Sequence, residues 1–189
     1  MKLHKKLIQL RACCEAVEWA KNYDSFASAW KECERGDWML WLCRTMQGEG
    51  VASTAGRFPH SLRNEGWPSL EEIVLVECDC AEIILPIYER QYPDDSLIRD
   101  CIETARQWAK GEATEAERKA AAWAAAWAAA WAAEAAGQAG AAGAAGAVGA
   151  AGQAGAAWAA EAAGQAGAAM SKQCADICRA KLRVPKELE

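Results

Sequence analysis

Residues 114–134 read TEAERKAAAWAAAWAAAWAAE, and the fold turns on this stretch and the Ala/Gly tract that follows it to Met170. Thr114 with Glu117 three residues on is a capping box, in which hydroxyl and carboxylate satisfy two orphan backbone donors, and alanine is the best helix former. This predicts a helix over 114–134. Tryptophan at 123, 127 and 131 drifts about 40° per step on a 3.6-residue helix, so the three indoles form one slowly winding stripe, read as core. Beyond them Gly137, Gly140, Gly143, Gly146, Gly149, Gly152 and Gly155 recur every third residue. Each interior glycine costs roughly 1 kcal/mol against alanine, so a helix here needs tertiary support and a turn is expected within Gly143–Gly149. WAAEAAGQAGAA occurs at Trp131–Ala142 and again at Trp158–Ala169. Two Ala-rich helices joined in the glycine run would pack closely as a hairpin. Collagen is excluded because the tract has no proline. A membrane span is disfavoured by Gln138 and Gln153 and by the lack of Leu, Ile and Phe.

A tract so poor in charge needs covering, by the rest of the chain or by copies of itself, which would make a homo-oligomer. The expectation is therefore an all-α, single-domain bundle of 189 residues, with residues 1–112 covering the Ala-rich 113–182 and a tail at 183–189. The balance of 21 basic against 26 acidic residues is mildly acidic, with no basic stripe, which argues against nucleic acid. The start, MKLHKKLIQLR, turns polar before an apolar stretch forms, so no secretory signal is expected. Nine cysteines, an odd count without a CxxC pair, fit a reducing cytoplasm.

In chain order, Leu3–Ala20 is read as one amphipathic helix with Leu3, Leu7, Leu10, Cys13, Cys14 and Val17 inward. Asp24 or Ser25 caps a second helix with Phe26, Ala29, Trp30 and Cys33 inward, ended by a left-handed Gly36. Asp37 caps a third, Trp38–Met46, apolar nearly all round and so central. Gln47–Trp67 reads as a loop. Ser69 and Glu72 form a capping box opening a helix through Ile73, Val76, Cys80, Ile83 and Ile84, which Pro86 should kink or end. After the turn at 92–96, Leu97, Ile98, Cys101, Ile102, Ala105 and Trp108 face inward on a helix stopping at Gly111. The last helix continues through Cys174–Leu182.

Chemistry is hard to find. Cys174 with Cys178, or Cys78 with Cys80, could hold a metal with Asp79 or His60, but small cysteines facing a core explain the same spacing, and no metal or cofactor is assigned. His4 and His60 have no visible nucleophile partner, so the chain is read as a non-enzyme. The junction of Glu34, Arg35, Asp37, Trp38 and Trp41 has two readings. Asp37 can be a plain N-cap with the indoles as core anchors, or the group can be a binding surface with Arg35 at its centre, at a helix end where burial does not require a cation.

The run ACCEAVEWA from Ala12, ERGDWMLWL from Glu34, CDCAE from Cys78, the tract introduced by GEAT at Gly111, and CADICR from Cys174 together resemble the Imm-5-like immunity proteins of bacteria and phages. The resemblance implies an all-α protein that protects a cell by binding a protein toxin, without catalytic residues. One alternative is a phage sponge for a small anionic, nucleotide-like signal, with Arg35, Arg106 and Arg118 as anion-binding groups. Another is a structural, self-associating helical protein.

Overall fold

The computed structural model describes residues 2–47, 66–120 and 164–186. The Trp stripe at 123, 127 and 131, the glycine run with its expected hairpin, and His60 lie outside the described residues. The chain is all-α. Its helices are α1 (Leu3–Gln9), α2 (Cys14–Ala20), α3 (Phe26–Glu32), α4 (Gly36–Met46), α5 (Leu70–Gln91), α6 (Leu97–Ala109) and α7 (Gly164–Lys181), with a helical segment at 115–120 between α6 and α7.

Three of the side-chain caps read from the sequence are present, at Ser25, Ser69 and Thr114. Ser25 accepts from the Ser28 N–H at 3.1 Å and opens α3. The Ser69 hydroxyl accepts from Glu72 N–H at 3.2 Å while Glu72 accepts from Ser69 N–H at 2.8 Å, and Thr114 and Glu117 exchange the same pair at 3.2 and 2.8 Å. Gly111, at φ 78°, closes α6 with Gly111 N–H to Trp108 C=O and Glu112 N–H to Gln107 C=O, the paired bonds of a Schellman end.

Two helix boundaries correct the sequence reading. Leu3–Ala20 is two helices, because Arg11 takes φ 61° and closes α1 in the same manner, with Arg11 N–H to Ile8 C=O and Ala12 N–H to Leu7 C=O. The break resets the helical register: Leu3 and Leu7 are buried, α2 buries Ala16 and Ala20, and Cys13 and Cys14 are exposed instead of inward. Gly36 neither ends α3 nor has a positive φ. It is the first residue of α4, where a Cβ would lie 2.5 Å from Cys174 Cβ and 2.8 Å from the Ala175 nitrogen. Close approach of α7, not backbone handedness, is what requires glycine there. Pro86 does not end α5, which runs on to Gln91.

Helix α5 is the spine. Ile73, Val76 and Cys80 face a larger core made with α1 to α4 and with Ala175, Cys178 and Leu182 at the α7 end of the chain. The opposite stripe, Val74, Cys78, Ala81 and Leu85, faces a smaller core with Ile98, Cys101, Ile102 and Ala105 of α6. Between the stripes sits Glu77, whose carboxylate receives Arg44 of α4 in a two-pronged pair, both contacts at 2.5 Å, with side chains 1% and 8% exposed. Helix α4 is central as expected, burying nine of its eleven residues, including Asp37 and Arg44.

Candidate functional site

The α3–α4 junction is built from a turn three residues long, since α3 ends at Glu32 and α4 begins at Gly36. Asp37 is not the N-cap. It lies second in α4, and its carboxylate receives Arg35 Nε and Nη2 at 2.9 and 2.8 Å and the Ser171 hydroxyl of α7 at 3.4 Å. Arg35 holds the N-cap position but makes no capping bond. Its guanidinium also lies 4.5 Å over the Trp38 ring and 3.7 Å from Glu15 of α2, and the Asp37 hydrogen bonds raise its already high pKa. Burial therefore does require this cation. The Asp37 side chain is 3% exposed, and Arg35 is its charge partner.

Helix α7 supplies the other half. Lys172 pairs with the exposed Glu34, and Arg179 donates to the Cys33 carbonyl at 2.5 Å and to Trp30 C=O at 3.5 Å, tying off the end of α3 while pairing with Asp176. The Cys33 thiol, closed in beneath, is pushed up to about 11 by burial. Cys80 donates to the Cys174 carbonyl at 3.9 Å, and Asp79 joins Arg106 of α6 at 2.7 Å to Lys181 at 2.5 Å. Thus the stretches around Glu34 and Cys78 meet the Cys174 stretch of α7, while Glu15 joins them through Arg35.

The seven candidate binding residues fall in two places. Glu34, Arg35, Asp37, Trp38 and Trp41 share the junction, where both indoles are half-buried. Trp38 meets the Trp19 ring at 5.8 Å and 63°. Its buried Nε1 has no hydrogen-bond partner among the described residues, an omission that ordinarily costs about 1–3 kcal/mol. Arg106 and Arg118 lie on the α5–α6 side. Arg106 is held by Asp79 and Glu82, and Arg118 by both oxygens of Glu115 at 2.7 and 2.8 Å with its guanidinium 4.9 Å over Trp108. Each of these three arginines already grips a carboxylate. Ser171, Lys172 and Arg179 were missed in the sequence because their partners lie more than 130 positions away. The nine cysteines are free thiols, and no group of metal ligands forms among the described residues. No helix among them is long and apolar enough to cross a membrane.

Residues 69–179 match the family of Imm-5 like putative immunity proteins. The chain belongs to this family. No curated protein and no solved structure matches it. The matched span of this Imm-5-like protein runs from the Ser69 cap of α5 to Arg179, the residue that ties α7 to the end of α3. ACCEAVEWA and ERGDWMLWL lie before it, and the second of these, in α4, packs against the matched helices α5 and α7.

Proposed function

We propose that this Imm-5-like protein is a non-enzymatic immunity protein, a stoichiometric inhibitor that binds a protein toxin in the cytoplasm. The observation that carries the reading is the family match over α5, α6 and α7. The toxin-binding surface is the face where the α3–α4 junction meets α7, with the exposed pair Glu34 and Lys172 at its rim and Arg35, Trp38 and Trp41 behind them. Half-buried indoles beside an arginine that is already held in place match what protein interfaces use as anchors, because little side-chain freedom remains to be lost on binding. The exposed charges of both signs suit steering and partner choice more than raw affinity.

The test is growth. Cells expressing candidate toxins from neighbouring reading frames should survive one of them when this chain is co-expressed, and the two proteins should co-elute at one-to-one stoichiometry. Survival without co-elution would point instead to an indirect route, such as removal of a small signal. No survival would overturn the immunity reading.

A further inference from the structure

Leu3 and Leu7 anchor α1 in the larger core, and the opposite side of the helix faces out. Lys2, Lys5 and Ile8 are exposed at intervals of three residues, one row along the helix, with Lys6 half-buried beside them and Arg11 exposed in the turn that follows. Residues 2–11 thus carry three lysines and one arginine and no acidic residue, within a chain of 21 basic and 26 acidic residues. The next two acids, Glu15 and Glu18, turn to Arg35 and Lys21, and no carboxylate among the described residues pairs with Lys2, Lys5, Lys6 or Arg11. By contrast Arg35, Arg44, Arg99, Arg106, Arg118 and Arg179 each hold one. Amid these cations stands Ile8, 57% exposed, more than any other large apolar side chain among the described residues. Cations left unpaired around an exposed apolar tip, on a convex helix, suit a partner that offers negative charge at its surface and hydrocarbon just beneath. Nucleic acid would use the cations and leave Ile8 in water.

We propose that the outer face of α1 docks on a membrane surface rich in anionic phospholipid, with Lys2, Lys5, Lys6 and Arg11 among the headgroups and Ile8 entering the interface. Each basic residue at such a surface strengthens binding about fivefold, so the four together supply a factor on the order of several hundred. The attachment is peripheral and reversible, because one isoleucine adds little apolar area and the charge contribution is screened by salt. The face shares no residue with the toxin-binding surface and is tested without any toxin.

The probes are vesicles of phosphatidylcholine alone and of phosphatidylcholine with phosphatidylserine at 7:3, sedimented with the full-length chain in 0.05 M and in 0.5 M salt. The native chain should sediment with the mixed vesicles in low salt, stay in solution with phosphatidylcholine alone, and be released in high salt. Lys2→Glu with Lys5→Glu, two exposed positions, should weaken binding at least twentyfold, and Ile8→Ser, which leaves every charge in place, about fivefold. Circular dichroism checks that both variants fold; should either fail, the native chain's dependence on lipid charge and salt decides alone. Equal binding to the two vesicle types, no binding to either, or binding untouched by salt would overturn the proposal. So would undiminished binding in either folded variant. Capture of a 20-base-pair DNA duplex in preference to the mixed vesicles, with equal strength in Ile8→Ser, would also overturn it and make the face a nucleic-acid surface.

Discussion

Gly36→Ala is the sharpest perturbation of the way α7 is docked. A methyl group at Gly36 would sit 2.5 Å from Cys174 Cβ, 2.8 Å from the Ala175 nitrogen and 2.9 Å from the Cys174 carbonyl carbon. Carbon atoms prefer about 3.5–4.0 Å, so the shortfall is about 1 Å. Two of the three obstacles are backbone, and no rotamer change relieves them. Helix α7 must retreat from α4, which also pulls Ser171 from Asp37 and Arg179 from Cys33. Overpacking of this kind costs about 1–3 kcal/mol, with the loss of those bonds at the upper end, while replacing glycine by alanine returns about 0.4–1 kcal/mol through the unfolded chain. A net loss of about 2 kcal/mol lowers Tm by roughly 4–8 °C in a chain of this size. Denaturant titration followed by circular dichroism reads it, with Cys174→Gly as partner substitution. Removing the Cys174 Cβ should recover part of the Gly36→Ala loss, so the two changes should be less than additive. A Gly36→Ala variant as stable as the native chain, or more so, would refute the close-contact reasoning.

Arg35→Ala should lower stability by about 2 kcal/mol, since it strips a two-pronged charge-assisted pair from a buried carboxylate, and the midpoint of urea unfolding checks it. Arg44→Met should cost about 3–5 kcal/mol by taking the guanidinium from buried Glu77, whereas Arg44→Met with Glu77→Leu should recover much of that loss in the same assay. Stability should also fall in alkali. Burial pushes the Cys33 and Cys101 thiols to about 11 and Cys78 to about 12, against an ordinary value of 9.0. Above pH 9 the unfolded chain loses these protons while the native chain keeps them, so their contribution is whole below pH 9 and drains away as pH climbs through 11 to 12. Unfolding midpoints at pH 8 and pH 10.5 should differ in that direction, and Cys101→Ala should shrink the difference.

What was legible in the sequence was local. The Ser69/Glu72 and Thr114/Glu117 boxes and the Ser25 cap depend on groups three residues apart, and they appear as read. Gly111 was legible for the same reason. Gly36 was not, because a glycine can serve a positive φ or a close neighbour, and only the position of Cys174 tells which. Arg11 in the left-handed region carries no signal, since arginine is rarely found there and the apolar period continues across it. The second apolar stripe of α5 was present as Val74, Cys78, Ala81 and Leu85, but the first stripe drew the reading. Glu77 between two such stripes was the available sign of a buried charge pair. For the site, the segments were visible but the meeting of the Glu34 and Cys78 stretches with α7 was not. Asp after Gly before an apolar run has the form of a cap, whereas the Asp37 carboxylate belongs to Arg35 and Ser171.

The most direct measurement is calorimetric titration of the native chain and of Lys172→Glu with the toxin that co-expression of this chain neutralises. Lys172 is exposed, and its pairing with Glu34 across the junction contributes little to folding, so the variant should melt as the native chain does. The expected result is one-to-one binding by the native chain, weakened roughly thirtyfold or more in Lys172→Glu as a charge reversed within the interface. Absence of binding heat from the native chain would contradict the immunity reading, and undiminished binding by Lys172→Glu would remove the junction of α3, α4 and α7 as the binding face.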